Sequence, residues 1–210
     1  MSSPPPSALP SLWCPTEPLI LASGSRTRRD LLASAGLPVE AVPAAIDERA
    51  VEAQAGGLAP AALALHLARA KAGEVAARHP GRVVVGADQV LDCDGAVLHK
   101  PADRAAAAGH LARLQGRTHA LHSAVALVRG IEEDGFVETA RLTMRSLDRT
   151  GIEAYLGLAG EAVTTSVGAY QLEALGIHLF ARIEGDHSTI LGLPLLPLLA
   201  RLRAMGWLAF

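Results

Sequence analysis

The chain has 210 residues, half of them hydrophobic, enough to bury the core of one domain or of two small ones packed closely. Its 19 Lys and Arg nearly cancel 21 Asp and Glu, and aromatics are scarce, which speaks against a nucleic-acid partner, an acidic membrane surface or a base-stacking platform. Cys14 and Cys93 match no zinc or redox spacing and fit a reducing cytoplasm, and the longest apolar run is interrupted by Pro194 and Pro197, so no membrane span is expected.

Residues 1–17 are rich in Pro and Ser but lack a basic start and an apolar h-region, so they read as a loose tail and not as a signal peptide. Residues 18–210 show no dividing linker or internal repeat and read as a single domain. Leu19–Ala22 reads as a strand, Arg26–Ala35 as a helix closed by Gly36, and "PVEAVPA" as a short returning strand. Ala59–Arg78 is an alanine-rich helix with Leu63, Leu67 and Ala70 on one side. Val83–Val85 is a β-branched strand, and Asp94-Gly95 between apolar runs marks a tight hairpin. A helix over Ala102–Leu114 leads to the long strand "THALHSAVALV", with "FVETARLTMRSL" as its neighbour. Thr150–Leu158 reads as a helix ending near Gly160, "GIHLFARIEG" as a strand, and Thr189–Met205 as the closing helix. Alternating strands and helices make the class α/β, with strand order left open.

Three polar clusters sit at the ends of apolar segments. In "LILASGSRTRRDLL" a strand runs into Ser23-Gly24-Ser25, and Arg26, Arg28 and Arg29 open the next helix. Arginines in a first turn work against the helix dipole, so an anion held on the same N-terminus would explain them. A Ser N-cap followed by a solvated basic face explains them equally well, and neither the Walker nor the dinucleotide spacing is present. The second cluster is Gly86-Ala87-Asp88-Gln89, where a strand ends on a carboxylate: either a metal ligand or base of an α/β enzyme, or a turn-capping Asp. The third is His99-Lys100-Pro101. Lys71 and Glu48, taken alone, are surface charges, and the eight histidines form no metal-binding pair.

Order and conjunction carry more than any one cluster. With "LASGSRTRRDLL", "IDE", "LARAKA", "GADQVLDCDGAVLHKP", "RLQGRTHALHSAVAL", "GAYQLEALG" and "RIEGDHSTILGLPL" in succession, the chain from about Leu19 onward resembles the Maf family of nucleoside triphosphate pyrophosphatases. The resemblance implies a mixed, elongated, twisted sheet flanked by helices, with the active-site cleft between two lobes. It implies cleavage of a nucleoside triphosphate between the α- and β-phosphates, a divalent cation (Mg²⁺ or Mn²⁺), a homodimer and a cytoplasmic place; members are also linked to arrest of septum formation. By position, Asp88 is the catalytic carboxylate, Ser23, Arg28, Lys71 and Lys100 bind the phosphates, and Glu48 joins Asp88 in holding the metal. Asp88 as ligand, as water-orienting group and as proton acceptor all stay open.

Thr27, Gln89 and Glu173 fall on the positions that track substrate choice. The 7-methyl-GTP branch carries an aromatic, Gln and Glu there; the dTTP/UTP branch carries Arg, Thr and Gln. The chain has the Gln and Glu of the first, and a Glu173 carboxylate suits a methylated, positively charged guanine. Thr27 departs from the aromatic, Arg26 from a proline, and "TTSVGAY" from a lysine common in the family. The alternatives are a dTTP/UTP-preferring enzyme and a nucleotide-binding cell-division regulator with little turnover.

Overall fold

Strand β1 (Leu19–Ala22) is apolar at every position and fully buried, as expected of a strand covered on both faces. The computed structural model describes residues 11–210, and β1 lies inside a seven-stranded sheet between β2 (Val39–Ala41) and β3 (Val84–Cys93), parallel to both. β4 (Ala96–Leu98), β5 (Thr118–Arg129), β6 (Glu132–Met144) and β7 (Phe180–Glu184) extend it antiparallel, in the order β2-β1-β3-β5-β6-β7 with β4 on β3. The fold is mixed α/β, as the sequence implies. The β3–β4 turn is at Asp94-Gly95, both at positive φ (56° and 81°), which is the backbone a two-residue hairpin of this hand requires.

β3 is where the sequence reading needs correction. The expected strand Val83–Val85 ending on a carboxylate is a ten-residue strand with Asp88 in its interior. One edge of β3 pairs with β1 through Gly86 and resumes with β4 at Leu91, leaving Ala87–Val90 partnered only by β5. The gap between β1 and β4 opens the sheet at Asp88.

Helices cover the sheet unevenly. α3 (Pro60–Arg78) packs Leu63, Leu67, Ala68 and Ala72 on one face, against Ile20, Val84 and Ala126. α1 (Arg26–Ser34) and α7 (Leu195–Ala204) cover the other with Leu32, Leu198 and Leu202 on Leu21, Val85 and Leu127. α4 (Arg104–Leu114) and α5 (Arg149–Ala159) form a third core with Leu91, Leu121, Leu142 and Met144 at the far end of the sheet. The cleft lies between this far lobe and the first two layers.

Other expectations shift. A helix not foreseen, α2 (Glu48–Gln54), starts at Asp47, whose carboxylate accepts from the Arg49 and Ala50 amides. The single closing helix is two, α6 (His187–Ile190) and α7, parted by Gly192 at φ +89° and by Pro194, which bars its predecessor from helical geometry. Of "GIHLFARIEG", the first part is a 3₁₀ turn (Leu175–Leu179) and only Phe180–Glu184 is strand. In the 1–17 segment, residues 1–10 lie outside the described residues. Trp13 is buried and bridged to Leu208, and the Cys14 N–H donates to Trp207 O, so the described end of this segment is held against the C-terminus. Among the described residues no helix is long and apolar enough to cross a membrane.

Candidate active site

The cleft begins with a glycine. A Cβ at Gly86 would sit 2.2 Å from Ala68 O and 2.7 Å from Ala72 N, so α3 rests directly on β3 only because no side chain intervenes. Two residues along the same strand face, Asp88 therefore meets Lys71 of α3. The Lys71 Nζ lies 2.6 Å from Asp88 Oδ1 and 2.9 Å from Glu48 Oε1, and Lys71 and Asp88 side chains are each 10% exposed. One ammonium thus bridges a carboxylate of the sheet and a carboxylate at the start of α2. Asp88 Oδ2 has no protein partner among the described residues and is the atom available to a ligand or water.

The basic cluster of the first motif separates in the structure. Arg26 and Arg29 stay exposed, paired with Asp30 at 3.6 and 3.7 Å. Arg28 turns inward: its Nε donates to Gly192 O (2.9 Å), and its Nη1 donates to Ala87 O (2.9 Å) and Ser23 Oγ (3.2 Å). The guanidinium thereby caps the carbonyl left open at the β3 edge and ties it to the turn after α6. Burial lowers the Arg28 pKa from its usual value, opposed by the charges of Asp88 and Glu48. A guanidinium stays protonated regardless, and Nη2 is left without an acceptor among the described residues.

Ser23 Oγ accepts from both the Ser25 N–H and Arg28, so its own proton is the part left to donate. Ser25 caps α1 by accepting from the Arg28 amide, which leaves the N–H groups of Arg26 and Thr27 open at the first turn. Lys100 leaves β4 on the same rim, exposed and without an ion-pair partner among the described residues.

All nine candidate residues line one open cleft of about 780 Å³: Ser23, Thr27, Arg28, Glu48, Lys71, Asp88, Gln89, Lys100 and Glu173. Gln89 sits on the strand face opposite Asp88. Its amide nitrogen lies 2.9 Å from Ser123 Oγ and 3.2 and 2.9 Å from the carbonyls of Thr189 and Ile190, so its donors fasten α6 to the sheet and its oxygen is the free atom. Thr27 is half-buried on α1, and Glu173 is exposed on the far rim. The sequence reading missed the neighbours of Glu173: Thr165, Ser166, Tyr170 and Gln171 also face the cleft. "GAYQLEALG" held the clue, with two residues of small side chain before a tyrosine.

Among the described residues, no three His, Cys, Asp or Glu gather closely enough to form a cage. Asp88 and Glu48 nevertheless share Lys71 as a common neighbour, and one or two carboxylates completed by substrate phosphates is how Mg²⁺ is ordinarily held. Their hard oxygen donors fit such a cation.

Fold and cleft define an α/β protein with a split mixed sheet, whose cleft gathers free hydrogen-bond donors, cations and carboxylates. The chain belongs to the Maf family: the model of that family, described as Maf-like protein, matches residues 18–205. A Nitrobacter winogradskyi protein named nucleoside triphosphate pyrophosphatase is 60% identical over 203 residues, covering 94% of this chain and 98% of its own. One from Nitrobacter hamburgensis with the same name is 58% identical, covering 95% and 99%. A Mesorhizobium japonicum protein named 7-methyl-GTP pyrophosphatase is 54% identical, covering 91% and 98%.

Proposed function

We propose that the protein is a cytoplasmic, divalent-cation-dependent nucleoside triphosphate pyrophosphatase that releases a nucleoside monophosphate and pyrophosphate, with 7-methyl-GTP as the kind of nucleotide it favours. The observation that carries the reading is Asp88, buried at the open edge of the sheet with one oxygen held by Lys71 and the other free toward a cleft of donors. The pyrophosphatase relatives, aligned over nearly their full lengths, support the same class. The cytoplasmic place rests on the unpaired cysteines.

Phosphoryl chemistry is mostly positioning and charge stabilisation, and the chain supplies both. Ser23 O–H, Arg28 Nη2, the first amides of α1 and Lys100 receive the triphosphate as donors and positive charge. Asp88 Oδ2 accepts the proton of an attacking water while Lys71 keeps Oδ1 fixed. Asp88 and Glu48 would hold the divalent cation, which when bound adds charge neutralisation at the phosphate oxygens.

Glu173 supports the base preference. Its carboxylate makes no ion pair among the described residues, and a 7-methylated guanine is a cation with N–H donors on its edge. The relative named for 7-methyl-GTP supports the same choice. We also read the protein as a homodimer. Leu158, Leu175 and Ile177 are exposed on the α5 lobe, apolar surface that a second copy would cover.

The test is pyrophosphate release from 7-methyl-GTP, GTP, dTTP, UTP, CTP and ITP, with Mg²⁺ and with EDTA, against Asp88→Asn as blank. Release led by 7-methyl-GTP and abolished by EDTA is expected. Release led by dTTP or UTP would keep the reaction and remove the base assignment. Activity no higher than the blank on every nucleotide would overturn the enzyme and leave a binding protein.

A further inference from the structure

One wall of the cleft, residues 165–173, has little regular structure. It contains a short 3₁₀ turn (Val167–Ala169) in which Gly168 has φ +75° and Ala169 φ +64°. Alanine keeps a left-handed backbone only where its surroundings impose it. The residue that follows, Tyr170, is held on two sides. Its ring packs edge-on against Phe180 at 4.8 Å, and its hydroxyl lies 2.6 Å from His119 Nε2. Ala169 is fully buried, and its carbonyl accepts from the Tyr155 hydroxyl at 3.3 Å.

His119 is 2% exposed on β5, does not line the cleft, and has a buried Nδ1 with no partner among the described residues. A polar ring in an apolar lobe, with half its hydrogen-bonding capacity unmet, costs stability that an aliphatic side chain would not. Among the described residues its one side-chain hydrogen bond is to Tyr170 of the wall. β5 pairs with β3 over Ala120–Val128 and with β6 along its whole length, His119 itself opposite Leu142, so this anchor stands on a strand held in the sheet.

Resting on the nucleotide reading above, we infer that His119 and Tyr170 are positioning residues whose mutual hydrogen bond fastens the 165–173 wall in the form that receives the base. The wall carries Glu173, and Gln171, whose Nε2 donates to Thr165 Oγ1 at 2.9 Å and whose side-chain Oε1 has no donor among the described residues. Ser23, Arg28, Lys71 and Asp88 stand elsewhere, in the turn between β1 and α1, on α1, on α3 and on β3. Loosening the wall therefore weakens recognition of the base and leaves the phosphate end in place.

Tyr170→Phe keeps the ring packing and removes only the hydroxyl. For the best nucleotide of the panel, KM should rise about three- to tenfold, the worth of one neutral hydrogen bond, while kcat changes less than about twofold. Inhibition by inorganic tripolyphosphate, which has no base, should be unaltered. Amide hydrogen exchange should quicken at residues 165–173 and stay as it was in α1 and α3. His119→Leu should behave alike, and His119→Gln, whose amide nitrogen can take the place of Nε2, should stay close to the native protein. Unchanged exchange in Tyr170→Phe overturns the fastening, and faster exchange with an unchanged KM overturns the base-end role. If the native protein hydrolyses no nucleotide, the enzyme reading fails separately, and the exchange result alone still decides the fastening.

Discussion

Asp88 shows how much a single residue's chemistry depends on its neighbour. In the sequence it closes a β-branched run, and a strand end was the expectation; in the structure it is mid-strand, and what exposes it is the missing pairing partner between Gly86 and Leu91. Lys71, an ordinary helix lysine by sequence, is its counter-charge at 2.6 Å. Lys71→Met would leave that carboxylate buried without its cation and should cost about 3 kcal/mol in denaturant unfolding, with turnover falling to the blank. Adding Asp88→Asn should restore most of the stability and none of the turnover. His119 makes a second prediction at this scale. Burial lowers its pKa from 6.5 to about 4, so between those values the unfolded chain binds a proton that the folded chain does not. Stability is then full above pH 6.5 and falls by about 3 kcal/mol as pH drops to about 4. His119→Gln should flatten that acid limb, followed by thermal unfolding across pH 4 to 7.

At the scale of elements, legibility followed burial. β1, α3 and the β5–β6 hairpin are marked by apolar residues at strand or helix spacing, and they form close to where the sequence puts them. α2 escaped notice because it buries no residue and so carries no apolar period, although Asp47 and the Gly56-Gly57 pair delimit it. The α6–α7 break was legible in Gly192 and Pro194, yet the apolar run "LGLPLLPLL" concealed it. That break matters, since Gly192 O holds Arg28 and the α6 carbonyls hold Gln89. The contact of α3 on β3 was not legible at all. Gly86→Ala would drive a methyl into the Ala68 carbonyl and the Ala72 amide, and relief requires α3 to lift. It should destabilise the protein by about 3 kcal/mol in urea unfolding and, by separating Lys71 from Asp88, reduce turnover further than the loss of folded protein accounts for.

For the whole molecule, one sheet serves two lobes and the cleft is the seam between them. The proposed homodimer belongs to this scale: sedimentation velocity should give twice the chain mass, and Leu158→Glu combined with Ile177→Glu should give the monomer. A native chain that sediments as a monomer at micromolar concentration would remove the dimer from the reading. Residue types and apolar periods were enough to determine the α/β class, and the order of the motifs along the chain was enough to determine the family. They suffice because burial and turn chemistry are local and leave their pattern in neighbouring positions. Only the tertiary structure decided that Asp88 faces α3 and Gln89 the opposite side, that Arg28 closes an open sheet edge while Arg26 and Arg29 face water, and that Tyr170 is anchored by His119. Each of these joins residues separated by 17 to 59 positions or sets apart residues that are adjacent, through strand pairing and helix packing that no local pattern records.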